Sequence, residues 1–185
     1  FISLGSTGIQ VVSDNQDLSY FGYSSNSKAT YSTELRVVPA NRADEEQLEV
    51  KDTETLKGAY VSHVLNAKEN TLWVMTAEKK KVALPERDIV TPRNDERPVP
   101  KNIYRVFQIQ MSAGELNADS VQVNSVAQWE REGTLQGGIG IRGLWIPRPY
   151  FRFPKPSLTV LDSGSVLVGF TNTVKLDLTL IHSGG

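Results

Sequence analysis

Val174, Leu176, Leu178 and Leu180 alternate with Lys175, Asp177, Thr179 and Ile181 near the end of the chain, and this period of two is the repeat of a β-strand and not of a helix. The alternation predicts a half-buried strand. Just before it, Ser157–Leu161 and Ser165–Phe170 are β-rich runs set off by Asp162-Ser163-Gly164 and Thr171-Asn172-Thr173, both of turn composition. Three consecutive antiparallel strands are expected here.

The same punctuation recurs upstream. Phe107, Ile109 and Met111 alternate with Gln108 and Gln110, and Val121 and Val123 alternate with Gln122 and Asn124. Tyr60–Leu65 and Thr71–Thr76 flank Asn66–Asn70, a polar connection of hairpin length, while Lys81–Leu84 stops at Pro85 and Leu35–Val38 stops at Pro39. Helix is scarce, and the best candidate is Asn41–Lys51, where Asn41 would cap a first turn holding Asp44, Glu45 and Glu46. Strand is open there too, since Leu48 and Val50 alternate with Glu49 and Lys51.

Such spacing predicts an all-β fold, an antiparallel β-sandwich of jelly-roll type with eight or nine strands, formed by residues 1–185 as a single domain. Two proline-rich stretches are expected as extended crossovers. One is 91–101 (TPRNDERPVPK), and the other is 144–156 (LWIPRPYFRFPKP), whose four prolines exclude a helix. With 185 residues the chain buries roughly 70% of the surface its unfolded form exposes, so a core needs no disulfide or structural metal.

Composition removes several function classes. A net charge of -1 argues against the broadly basic surface of non-specific nucleic-acid binding. The absence of Cys removes thiol nucleophiles and thiolate zinc sites. No run approaches 18 apolar residues, so no transmembrane helix is expected, and Phe1–Val12 lacks the basic start and apolar middle of a signal peptide.

Catalytic and cofactor motifs are weak. Gly138–Gly143 (GIGIRG) matches G-x-G-x-x-G, with Asp162 about 20 residues on, yet Pro147 and Pro149 forbid the helix whose amides must hold the pyrophosphate. A glycine-relieved strand start fits better. His63 and His182 are the only histidines, and neither stands near a nucleophile elbow, so both read as structural or surface groups. The acidic stretch Asp44–Glu54 lacks the D-x-[DN]-x-[DN]-G pattern of a calcium loop, and the Lys79-Lys80-Lys81 run reads as a solvated face. A hydrolase built on two carboxylates from separate strands has no spacing to support it. No catalytic, cofactor-binding or metal-ligating residue is therefore assigned.

The most unusual chemistry lies in Gly133–Leu161, which contains Arg142, Arg148, Arg152 and Lys155 without one acid, interleaved with Trp145, Tyr150, Phe151 and Phe153. Alternating rings and guanidinium groups can stack on bases, lie at a lipid headgroup boundary, cover the domain's own core or anchor one subunit on another. The subunit reading takes Trp145, Tyr150, Phe151 and Phe153 as anchors, with Arg148 and Arg152 making charge-assisted hydrogen bonds to a neighbour.

The C-terminal run FPKPSLTVLDSGSVLVGFTNTVKLDLTLIHSGG, from Phe153 to Gly185, resembles the final strands of viral single-jelly-roll capsid proteins and similar phage particle proteins. A proline-led start, a strand, a D-S-G turn, a second strand and a closing amphipathic strand carry the likeness. It implies two sheets packed face to face, arms that mediate assembly into a shell, and no catalytic residue. Many such proteins carry a basic arm for the genome, whereas this chain begins with the uncharged FISLGSTGIQVV. The function expected is a non-enzymatic capsid or accessory subunit of a virus or phage particle, located in the virion and making homo- or hetero-oligomeric contacts. The rival expectation is a carbohydrate- or receptor-binding module that uses the Tyr20-Phe21-Gly22-Tyr23 cluster to stack on sugar rings.

Overall fold

The computed structural model describes residues 2–4, 7–13, 32–39, 52–80, 101–111, 121–136, 139–141, 144–146, 150–172 and 175–182. Among them the structure is entirely antiparallel β, with no helix long and apolar enough to cross a membrane. The N-terminal sheet runs β1 (Ile2–Leu4), β2 (Thr7–Ser13), β3 (Ser32–Pro39) and β4 (Asp52–Lys57). The central sheet runs β5 (Ala59–Asn66), β6 (Thr71–Lys80), β7 (Lys101–Met111) and β8 (Val121–Glu132). Two ribbons follow, one pairing β9 (Thr134–Gln136) with β12 (Tyr150–Arg152), the other pairing β10 (Ile139–Ile141) with β11 (Leu144–Ile146). The C-terminal sheet comprises β13 (Lys155–Val160), β14 (Val166–Thr171) and β15 (Leu176–Ile181).

The all-β antiparallel sandwich is thus what the short, turn-punctuated runs predicted, with ten longer strands in the three sheets and five strands of three residues beside them. Within each sheet the described strands follow chain order, as meanders. The interleaved order that defines a jelly roll is not among them. The Asn41–Lys51 helix candidate, the Lys81–Leu84 run and residues 91–100 of the first crossover lie outside the described residues. Of the second crossover, 144–156, residues 144–146 and 150–152 form β11 and β12 and residues 155 and 156 begin β13, whereas 147–149 lie outside the described residues.

Thr71–Ala77 of β6 is buried at every position, because this strand has a sheet on each of its faces. Leu72 and Val74 point to one side, with Phe107 and Ile109, and pack on Ile9, Leu35, Val37 and Leu56 of the N-terminal sheet. Trp73, Met75 and Ala77 point to the other side, with Tyr104 and Val106, and pack on Val166, Val168 and Phe170 of the C-terminal sheet. The molecule therefore has three layers and two cores. An unbroken apolar run is what a strand covered on both faces needs, since each fully buried Leu, Val or Met contributes about 1.5–3 kcal/mol.

Two bulges let neighbouring strands serve both cores. The β7–β8 register slips between Val106 and Phe107, leaving Val126 as the extra residue on β8. Val121 and Val123 before it face the first core, whereas Trp129 after it faces the second, although all three are odd-numbered. A bulge shifts side-chain parity by one, so a single regular alternation could not do this. Val61 plays the same part on β5, where Tyr60 and Leu65 pack on the first core and Val61 and Val64 on the second.

The chain passes from β4 to β5 through Gly58 alone, with φ of 102°, a left-handed conformation natural to glycine. The corner is tied on both sides. The Thr33 hydroxyl donates to the Gly58 carbonyl at 2.8 Å, the Thr76 hydroxyl donates to the Lys57 carbonyl at 2.6 Å, and the Tyr60 amide donates to the Ser13 hydroxyl at 2.9 Å. A Cβ at Gly58 would sit 2.8 Å from Thr76 Oγ1. Gly58→Ala is expected to lower stability by about 1–3 kcal/mol, through backbone strain and loss of the Thr76 bond, seen as a lower urea midpoint with unchanged slope.

Candidate functional site

The interface residues expected from sequence fall in different places. Trp145 is the middle residue of β11, opposite Gly140 in β10, so the G-x-G-x-x-G stretch enters a hairpin and not a nucleotide-binding turn. Tyr150, Phe151 and Arg152 form β12 and pair with Gln136, Leu135 and Thr134. Trp145 therefore sits in one ribbon and the Tyr150–Arg152 trio in the other. Phe153 is buried, at 9% exposure, and its ring is enclosed by its own chain. Arg148 and the Tyr20–Tyr23 cluster lie outside the described residues.

The polar clusters are structural in geometry. The Tyr60 hydroxyl and His63 Nδ1 share a hydrogen bond of 2.6 Å at the β5 bulge, and burial raises the tyrosine pKa. Burial also holds His63 below the usual histidine range. On the first-core face, Arg105 Nη2 meets Glu78 Oε1 at 2.7 Å and Arg105 Nε donates to Gln128 at 3.0 Å, tying β6, β7 and β8 together. These two charged side chains are only 9% and 15% exposed, so the pair orders the sheet and is not open to a ligand. Among the described residues no three His, Asp or Glu side chains are grouped to hold a metal ion.

On the opposite face Phe170 of β14 is clasped by the central sheet. Tyr104 and Trp129 meet its ring edge-on, with centroids 5.1 Å and 5.6 Å away, and the Arg131 guanidinium lies 4.6 Å from the ring centroid. This clasp fixes the C-terminal sheet on the central one. It also fixes which way that sheet faces.

With Val166, Val168 and Phe170 turned inward, the cross-strand register places Leu180 opposite Leu167, Leu178 opposite Gly169 and Leu176 opposite Thr171, on the outer surface. Leu176, Leu178 and Leu180 are 57%, 56% and 43% exposed. The final strand is half-buried as its alternation predicted, but its inner half is Asp177, Thr179 and Ile181. Gly169 leaves room for the leucines, since a Cβ there would lie 3.3 Å from Leu178 Cδ2 and 3.8 Å from Leu176 Cδ1. Scattered surface leucines are ordinary, whereas three in register along one strand make a continuous apolar row.

That row stands on an edge, since the described strands give β15 one neighbour, β14. The longest edge strand among the described residues, β8, is guarded by its bulge and by exposed Gln122, Asn124, Gln128, Glu130 and Glu132, with Glu130 and Glu132 paired to Lys80 at 2.6 Å and Lys101 at 2.8 Å. On β15 and its turn the charges are Lys175 and Asp177, 3.0 Å apart in one self-contained pair. The leucine row is the candidate functional surface. Its signal in the sequence lay in β14: the inward Val166, Val168 and Phe170 leave Leu167, Gly169 and Thr171 facing out, and the leucines pair with those.

Phe170→Ala is expected to cost about 3–5 kcal/mol, since it empties the clasp, and to raise hydrogen exchange in β13–β15 before β5–β8. His63 gives a pH test. Its folded-state pKa is depressed, so its contribution is intact above the ordinary histidine pKa and is lost as pH falls through the lower folded value. Urea midpoints of wild type and His63→Gln should converge below that window and differ above it.

Compared with known proteins, the chain matches no family model, no curated protein and no solved structure, so the functional reading stands on this surface and on the fold that presents it.

Proposed function

We propose that this chain is a non-enzymatic structural subunit that works by packing against neighbouring protein, as a capsid or accessory component of a virus or phage particle. The observation that carries the reading is the row of Leu176, Leu178 and Leu180 on β15, an edge strand among the described residues. An exposed, flat, hydrophobic edge is an association site, and the same molecule guards its β8 edge against such contact. The three-layer body suits a building block, because its buried central strand and tied corner hold the surface rigid, and a rigid surface loses little entropy on docking. The proline-led β13, the Asp162–Gly164 turn and the closing β15 are the elements on which the likeness to particle proteins rests. The ribbons carrying Trp145, Tyr150, Phe151 and Arg152, with Arg148 between them, supply a second contact in this proposal.

Sedimentation and electron microscopy of the full chain test it. Wild type is expected to form oligomers or particles, Leu176→Lys with Leu178→Lys and Leu180→Lys to stop at monomers with unchanged circular dichroism, and Trp145→Ala with Phe151→Ala to weaken the larger assemblies. A wild-type chain that stays monomeric at high concentration, alone and in its native source, overturns the reading.

A further inference from the structure

We infer that the occupant of the leucine edge is a second copy of this chain, joined by antiparallel pairing of β15 with β15 about a twofold axis at Leu178. The inference rests on the assembly reading above and specifies its partner. The backbone supplies the first argument. The Asn172 amide donates to the Lys175 carbonyl at 3.0 Å, and the Lys175 amide donates to Asn172 Oδ1 at 2.6 Å, which closes the β14–β15 hairpin. Antiparallel ladders alternate bonded and unbonded pairs. From that closure the bonded pairs are Phe170 with Asp177, Val168 with Thr179 and Val166 with Ile181. The amide and carbonyl groups of Leu176, Leu178 and Leu180 therefore point away from β14, toward the open side.

An axis at Leu178 satisfies these groups with their own copies. Leu178 pairs with Leu178 of the second copy, and Leu176 pairs with Leu180 in both directions. Residues directly opposite in a ladder share a face, so this register unites three leucines from each copy in one apolar row across a continuous six-stranded sheet. An axis moved to Asp177 or Thr179 would still pair outward groups with each other, but it would leave one leucine of each copy without a leucine opposite, so the axis at Leu178 is the one that matches all six. Charge agrees with a copy as partner. Lys175 and Asp177 neutralise each other within each chain, so two edges meet with no net like charge. The β8 edge, with exposed Gln, Asn and Glu side chains and the Val126 bulge, offers no such self-match.

The test uses the full chain. Leu178→Pro removes an outward amide and no β14 bond, so the fold should survive while the dimer dissociation constant rises at least about tenfold in sedimentation equilibrium. Because the chain contains no Cys, Leu178→Cys introduces a lone thiol. Its Cα would lie about 5.5 Å from that of its copy, within disulfide range, so mild oxidation should give a covalent dimer. Val126→Cys on the β8 edge should form no covalent dimer under the same conditions. Efficient cross-linking at position 178 together with dimer loss in Leu178→Pro upholds the inference. If Leu178→Cys fails to cross-link, or Leu178→Pro assembles like wild type, the second-copy geometry is overturned. The assembly reading still stands if the triple lysine variant is monomeric. It falls with the geometry if wild type never associates, and association only with a different protein through β15 also overturns the second-copy assignment.

Discussion

Every larger feature of the molecule follows from one strand that has no solvent face. Because Thr71–Ala77 is buried throughout, β6 needs a cover on each side, and a two-layer sandwich would leave either Leu72 and Val74 or Trp73 and Met75 in water. Two covers require the flanking strands to contribute to two cores. Plain alternation does this in β7, while Val61 in β5 and Val126 in β8 each insert one residue and so shift the alternation, which sets Val61 and Trp129 toward the second core. The first cover must also be reached without leaving the central sheet, and Gly58 achieves this in a single left-handed residue held by Thr33 and Thr76.

What was legible in the sequence is what depends on local period. The alternation around Phe107–Met111, Val121–Asn124 and Leu176–Ile181 placed strands correctly, as did the proline at the end of β3 and the polar turn after Asn66. The layering was not legible, because a continuous apolar run such as Leu72–Met75 has no period to say how many sheets cover it. The bulges were hidden for a related reason: Val61 and Val126 are ordinary β residues, and only the register reveals them as extra. The outward leucines were ambiguous in a third way. Alternation in β15 separates two faces but does not name the inner one, and Phe170, clasped by Tyr104, Trp129 and Arg131 from distant strands, decides it. The prolines of the aromatic and basic Gly133–Leu161 segment exclude a helix, while the pairing of Tyr150–Arg152 with Thr134–Gln136 and of Leu144–Ile146 with Ile139–Ile141 was not legible, because it depends on cross-strand register.

The orientation of the C-terminal sheet has an energetic consequence. Turning Val166, Val168 and Phe170 inward buries three large side chains at 0–2% exposure, and the cost is a leucine row left outside. Turning the sheet over would bury the leucines and expose Phe170 with both valines, while placing Gly169 against the core where it fills nothing. The monomer thus takes the better core and keeps an unspent apolar surface. Charge at this edge is confined to Lys175 at the turn and the inward Asp177, and the outward row itself carries none.

The size of that unspent surface sets the character of the contact. Edge pairing covers the flanks of these leucines and leaves their outer face open, so six of them in a twofold pair supply at most about 5–9 kcal/mol, the value for complete burial. Association itself costs about 4–15 kcal/mol in lost freedom, so one such edge gives a weak dimer and no more. A weak contact is the useful strength for a building block. In the assembly proposed above, with the ribbons of β9–β12 as a second contact, each added bond would close under high effective concentration, and the array would be stable although no single interface is. Errors in such an array would dissolve faster than they are sealed in, because a misplaced subunit would hold by one edge only.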